Sequence, residues 1–239
     1  MVMGTSYNPR IVTDGLVLCL DTANSRSYPG TGTTWSDLVG DTQASFINMD
    51  ASNFTNANGG LLSMDGSNEY MQGSTNLGLS GDPDFTIGHW IYWDYDSWNG
   101  NYPSAFSNSS TWSTSRLLAT TFHGGRIAID YWSARFRASS SSTLDVKTWY
   151  YVAFTKVSGS NNATNTRLYI NGENVSGATE GSSTVNILDS SVRIGLVDTG
   201  TGYTFRRWQG YVNNITVYNR VLTSDEIRQN YLATKERYA

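Results

Sequence analysis

Hydrophobic residues return at every second position, or in short runs closed by Gly, Asn, Asp, Ser or Thr, over almost the whole chain, and both patterns predict strands. Ten segments carry them most clearly: residues 15–21 (GLVLCLD), 60–65 (GLLSMD), 69–73 (EYMQG), 85–93 (FTIGHWIYW), 115–122 (SRLLATTF), 126–132 (RIAIDYW), 149–157 (WYYVAFTKV), 166–172 (TRLYING), 192–197 (VRIGLV) and 210–219 (GYVNNITVYN). In 85–93 the alternation turns Phe85, Ile87 and Ile91 to a core and Trp90 and Tyr92 to the opposite side. Asn171-Gly172 predicts a two-residue hairpin, because both central residues of a type I′ turn need positive φ. Asp65-Gly66 reads as a second hairpin turn. Only residues 224–234 (SDEIRQNYLAT) read as a helix, with Thr223 as N-cap, Glu226 completing a capping box, and Ile227, Tyr231 and Leu232 as its apolar side. The pattern predicts an all-β fold, a sandwich or a barrel, with one short C-terminal helix. The loops at 138–143 and 158–165 are too short for interdomain linkers. One domain over residues 1–239 is therefore expected, with residues 1–14 as an N-terminal arm and 223–234 as the C-terminal helix.

The composition agrees: 38% hydrophobic and 15% charged residues, with 23 Gly, 8 Trp and 15 Tyr, suit a strand-rich chain with many turns. A formal charge of −4 argues against binding nucleic acid, which needs clustered Lys and Arg. Two basic groups, Arg135-Phe136-Arg137 and Arg206-Arg207-Trp208, read as solvated strand ends. The single cysteine, Cys19 in GLVLCLD, reads as a small buried residue rather than a nucleophile. No run approaches the roughly 20 apolar residues of a membrane span, so no membrane insertion is expected. Nothing at the N-terminus reads as a signal peptide.

The ordered set FTIGHWIYW, TWYYVAFTKV, TRLYINGENVSG, VRIGLV and WQGYVNNITVYNRVLTSDEI resembles the laminin G-like branch of the concanavalin A-like lectin/glucanase superfamily, whose members are jelly rolls, which implies a two-sheet antiparallel β-sandwich. The opening YNPRIVTDGLVLCLDTANSRSYPGTGTTWSDLVG resembles the start of such domains in structural proteins of tailed bacteriophages. That resemblance implies a structural or binding module of a phage particle, a capsid decoration, head fibre or tail-associated protein. Such a module would be exposed on the virion, contact other virion subunits or copies of itself, and adhere weakly to host surface polysaccharide. A stand-alone carbohydrate-binding lectin domain is the alternative, and a glycoside hydrolase ranks below both.

Candidate chemistry is sparse. The glucanase members need Glu-x-Asp-x-Glu on one strand, and the nearest run is Asp94-Tyr95-Asp96, with Trp98 where a third carboxylate would stand. His89 and His123 have no Gly-x-Ser-x-Gly nucleophile to serve, and FHGGR (122–126) lacks a partner too, so no catalytic residues and no enzyme are expected. His89 reads as a hydrogen-bonded residue of the sheet. Some relatives hold calcium in sheet-end loops, which makes Asp65, Asn68, Glu69, Asp94 and Asp96 the candidate donors, with no cofactor required. The aromatic cluster Trp93, Tyr95, Trp98 and Tyr102, beside Asn99 and Asn101, is the candidate glycan surface, because sugars stack on rings and hydrogen-bond to amides. Asn213 and Asn214 stand where many relatives carry an acidic pair.

Overall fold

The computed structural model describes residues 9–96, 102–108, 116–132, 134–181, 184–197 and 206–239. Within them the chain forms strands β1 (Leu16–Leu20), β2 (Thr34–Ser36), β3 (Gln43–Ile47), β4 (Phe54–Thr55), β5 (Leu61–Asp65), β6 (Tyr70–Gly73), β7 (Phe85–Trp93), β8 (Ser104–Ser107) and β9 (Ala119–His123). They continue with β10 (Arg126–Asp130), β11 (Ala134–Ala138), β12 (Trp149–Lys156), β13 (Thr166–Ile170), β14 (Glu173–Asn174), β15 (Ser176–Gly181), β16 (Arg193–Ile194) and β17 (Gln209–Tyr218), then helix α1 (Ser224–Thr234). The first sheet has the order β14-β13-β12-β7-β17-β5-β4, with β1 also on β17; the second has the order β15-β11-β10-β9-β8-β16-β6-β3-β2. Neighbouring strands are antiparallel and the sheets face each other as a sandwich, as the family resemblance implies.

Strand β7 shows why the layers form. Phe85, Ile87, Ile91 and Trp93 point between the sheets and join Phe106, Phe122, Ile127, Ile129 and Phe136 in one buried cluster. Trp208 fills its centre, edge-on to Trp93 at 5.1 Å and to Phe122 at 5.0 Å. Each such side chain contributes about 1.5–3 kcal/mol by leaving water. His89 shares their parity and is wholly buried, with Nε2 3.0 Å from Thr120 Oγ1. Burial pushes its imidazole down to about 3. Cys19 is buried too, and burial, with Asp21 and Asp37 nearby, pushes its thiol up to about 12.

The other parity of β7 faces a second core, under α1. Trp90 stacks on Tyr238 at 4.3 Å, and its Nε1 donates to Thr234 Oγ1 at 2.8 Å. The capping box forms as the sequence predicts: Thr223 N–H donates to Glu226 Oε2 and Glu226 N–H donates to Thr223 Oγ1. The Arg220 guanidinium bonded to Glu226 holds that carboxyl down to about 2. Ile227 is buried, but Leu232 is not part of the core; the polar Asn230 and Thr234 take that face instead. Asn230 explains the substitution, because it accepts from Val12 N–H at 2.8 Å and donates to Tyr218 Oη at 3.0 Å, pinning the chain's first described segment to the helix.

Two turn expectations end differently. Asn171 and Gly172 have φ of 52° and 84°, and the hairpin β13–β14 follows. Asp65-Gly66 is a turn, with Gly66 at φ 74° and Asp65 Oδ1 accepting from Ser67 N–H, but it is not a hairpin. Strands β5 and β6 lie in different sheets, so the chain crosses the sandwich there.

Asn213 and Asn214 sit at a bulge, where the pairing of β17 with β7 slips and Asn214 takes φ 47°. Buried Asn213 donates from Nδ2 to the Gly60 carbonyl at 2.9 Å, while its Oδ1 accepts from Thr22 Oγ1 at 2.7 Å and from Asn214 N–H at 2.8 Å. A Cβ on Gly60 would come within 2.4 Å of the Thr22 carbonyl oxygen, so this close approach requires glycine. Asn213→Ala takes the side-chain acceptor from the Thr22 and Asn214 N–H groups, while the Gly60 carbonyl keeps the Thr22 hydroxyl as donor at 2.6 Å; a loss of about 3 kcal/mol is expected, read as a lower urea midpoint at unchanged slope.

The buried histidine adds a pH dependence. An exposed imidazole titrates near 6.5 and folded His89 near 3, so the unfolded chain takes the proton first as pH falls. Stability is therefore complete above about 6.5 and declines from there towards 3, by about 1.4 kcal/mol per pH unit for each such histidine. Urea melts between pH 7 and 5 will show this decline, and His89→Gln will make it shallower; equal slopes would refute the assignment.

Candidate functional site

The described candidate glycan residues, Trp93, Tyr95 and Tyr102, do not form one surface. Trp93 is 4% exposed and packed between the sheets, so the expectation that it stacks on a sugar is wrong. The alternation that turns Phe85 and Ile87 inward turns Trp93 inward as well. Tyr95 is 44% exposed, 6.1 Å from the Trp93 ring. Tyr102 is 38% exposed and lies 4.2 Å from the His123 ring, on the outer face of the second sheet. Trp98, Asn99 and Asn101 lie outside the described residues.

That outer face is where the chemistry gathers. Antiparallel register places Asp130 opposite Arg135 on β11, and Arg135 opposite Glu180 on β15, an opposite-charge ladder across three strands. Asp130 is fully buried; its Oδ2 accepts from Arg135 Nη2 at 3.0 Å and lies 3.7 Å from Arg206 Nη1 and 3.8 Å from His123 Nε2. Arg135 also reaches Glu180 at 3.5 Å, and Arg137 pairs with the same carboxylate. Burial first, then Arg135, Arg206, Arg137 and Arg126, press the His123 imidazole down to about 2, so it is neutral near pH 7.

The basic groups of the sequence are thus not solvated strand ends. Arg135 and Arg137 project from the same face of a paired strand, and Arg206 is 4% exposed, with its guanidinium 5.9 Å from the Tyr102 ring centre and 5.8 Å from that of Trp132. Trp132 has φ 82°, a backbone state that a bulky L-residue adopts at a cost of order 1–3 kcal/mol. Asp130 holds it there by accepting from Trp132 N–H at 2.8 Å. A signal for this site stands in the sequence: Arg-Phe-Arg is strand alternation, with both arginines on one face. The convergence of Arg206 is not local and has no such signal.

On the outer face of the first sheet, half-buried Tyr92, Trp149 and Tyr211 form a separate aromatic group, with Tyr92 5.3 Å from Trp149 and 5.7 Å from Tyr211. A cleft of about 240 Å³ opens beside them, between Trp149, Asn171, Tyr231 and Tyr238.

The calcium candidates do not come together. Glu69 spends Oε1 on Asn53 Nδ2 and Oε2 on Asp65 N–H, and Asp65 spends Oδ1 on Ser67 N–H, so these oxygens serve their own loop. Asn68 gives its carbonyl oxygen to Asn48 Nδ2. Asp65 pairs with one edge of β17 at Gln209, whereas Asp94 bonds from the β7 side; Asp96 is tied to Lys147 at 2.7 Å. Among the described residues no group of three or more His, Cys, Asp or Glu could hold a metal ion.

Comparison with known proteins places the fold. A family model described as the concanavalin A-like lectin/glucanases superfamily matches residues 65–228. No curated protein sequence matches the chain. Among solved structures, it is similar to the Trypanosoma rangeli sialidase in complex with the inhibitor DANA, with TM-score 0.66 and 18% identity over 98% of this chain and 36% of that one. It is similar to domain 4 of AbnA, a GH43 extracellular arabinanase from Geobacillus stearothermophilus, in complex with arabinotriose, with TM-score 0.59 and 13% identity over 95% of this chain and 100% of the other. It also resembles the Botulinum neurotoxin serotype D binding domain, with TM-score 0.55 and 16% identity over 91% of this chain and 50% of that one. At these identities the likeness concerns the fold, and the chain spans about a third of the sialidase's length. These likenesses run to a sialidase, an arabinanase domain and a toxin domain, and they overturn the expectation of a structural component of a phage particle. With the family match over residues 65–228 and two facing antiparallel sheets, the chain belongs to the concanavalin A-like lectin/glucanases superfamily.

Proposed function

We propose that the chain is a carbohydrate-binding module, without hydrolytic activity, that takes a saccharide on the outer face of its second sheet. One observation carries this reading: Trp132 is held at positive φ by a buried aspartate, and its ring, with the exposed Tyr102, lies against Arg206. Strain of this kind persists where surrounding structure overdetermines it, and here the surroundings are a ring pair bordered by guanidinium and carboxylate groups. Rings offer a stacking surface to sugar C–H bonds, while Arg137 and Glu180 on the same face offer a donor and an acceptor for hydroxyls.

The same geometry speaks against hydrolysis. Among the described residues, Asp130 and Glu180 are the carboxylates paired on this face, and the Arg135 guanidinium bridges them, occupying the space a scissile bond would need between an acid and a nucleophile. The arabinanase domain solved with arabinotriose and the toxin binding domain are similar in fold and are consistent with a sugar-binding role. The partner on this reading is a polysaccharide, met on a surface where several copies of the module can engage it together.

Calorimetric titration against a panel of polysaccharides tests this. Trp132→Ala and Tyr102→Ala are each expected to weaken binding about tenfold, roughly 1.4 kcal/mol, while Tyr211→Ala on the opposite sheet leaves it unchanged and no new reducing ends form. Loss with Tyr211→Ala alone would move the site to the first sheet. Silence across the whole panel would sink the reading.

A further inference from the structure

At one end of this face the strands open. The pairing of β11 with β15 slips between Arg137 and Ala138, leaving Gly177 as the extra residue, whose Cβ would meet the Arg137 carbonyl oxygen at 2.4 Å. Beside the bulge lies a cleft of about 180 Å³, lined among others by Arg126, Arg137, Ser139, Ser140, Gly177 and Glu180. Arg137 gives Nη2 to Glu180, but its Nε is buried with no hydrogen-bond partner among the described residues. Arg126 makes one long bond, from Nη1 to the Ala138 carbonyl at 3.4 Å. The cleft and the aromatic pair share this face: Tyr102 lies against His123, and His123 is the cross-strand neighbour of Arg126.

The charge balance of the face differs from that of the chain. Among the described residues, Arg126, Arg135, Arg137 and Arg206 stand against Asp130 and Glu180, an excess of two positive charges on a protein whose formal charge is −4. Burial first, and then these same four arginines, press down the His123 imidazole that lies among them. Guanidinium groups hold carboxylate and sulfate oxygens with paired N–H donors, and a half-buried site screens that attraction less than open water does.

We infer that the saccharide bound on this face is anionic, with a carboxylate or sulfate group received in the cleft by Arg126 and Arg137. This rests on the carbohydrate-binding reading and names the class of sugar.

The test compares the full chain's binding to polygalacturonate, its carboxyl-reduced counterpart, dextran sulfate and unmodified dextran, at low and high salt. At least one of the two anionic polymers is expected to bind ten or more times more tightly than its neutral partner, and to weaken steeply as salt rises. Arg137→Gln and Arg126→Gln are each expected to reduce that binding about tenfold. Arg228→Gln, which removes the same charge from the helix, leaves it unchanged. Using two cleft variants guards against one that fails to fold through loss of the Glu180 pair. Preference for the uronate pair identifies a carboxylate and preference for the sulfated pair a sulfate. Equal binding of charged and neutral polymers, or anionic binding reduced as much by Arg228→Gln as by the cleft variants, overturns the inference while leaving a carbohydrate-binding module standing. If none of these polymers nor any member of the wider panel binds, the carbohydrate-binding reading fails and this inference with it.

Discussion

Strand β17 has more edge than any one neighbour can satisfy. On one side β7 runs along most of its ten residues; on the other, β5 pairs with Gln209–Tyr211 and β1 takes over at Ile215–Tyr218. Between those two partners the ladder is interrupted, at the centre of the first sheet and away from water. Unpaired polar groups in such a place each cost about 1–3 kcal/mol. The amide of Asn213 closes the interruption by engaging Gly60, just before β5, and Thr22, just after β1. The bulge at Asn214 supplies the conformation that lets the side chain lie along the sheet. An amide suits this role where a carboxylate would not, because the position needs a donor for the Gly60 carbonyl as well as an acceptor for Thr22.

The remaining structure follows from that junction. Held by β17, strand β7 must keep its parity along nine residues, and parity sorts its rings into two environments. Trp93 enters the space between the sheets against Trp208. Trp90 goes to the outer side, where Tyr238 and Thr234 seal it under the helix. An aromatic cluster dense in sequence is therefore dispersed in space, and the proposed site joins its exposed Tyr102, before β8, to the half-buried Trp132 that follows β10.

What could be read from the sequence was local. The bounds of β7, the Asn171-Gly172 hairpin and the Thr223–Glu226 capping box each depend on residues within one element or one turn, and each forms as expected. Asp65-Gly66 shows the limit. The turn itself is encoded nearby, but whether the next strand returns to the same sheet depends on partners such as Ile194 and Phe46, far away in the chain. Leu232 fails for a related reason: helical spacing made it apolar-side, while Val12 and Tyr218, from distant segments, recruit Asn230 to the buried face instead. The charged site is the extreme case, since Asp130, Arg135, Glu180 and Arg206 meet only after three strands pair and a distant segment folds across them.

Energetics give a reason to read that meeting point as functional rather than as a fastening. Burying a carboxylate under guanidinium groups carries a desolvation cost that the attraction need not repay, and well-packed apolar side chains of similar volume often hold a fold as firmly. Positive φ at a tryptophan is a second cost, and both fall on the same three residues, Asp130 to Trp132. The other five non-glycine residues described at positive φ are four asparagines and one lysine, none of them aromatic, and the buried His89 sits neutral beside a threonine hydroxyl. Where two such costs coincide, the inconsistency is expected to be spent on function. Here it fixes an aromatic ring beside an arginine on an otherwise ordinary sheet face, and a sugar ring is a ligand that such a pair of groups fits.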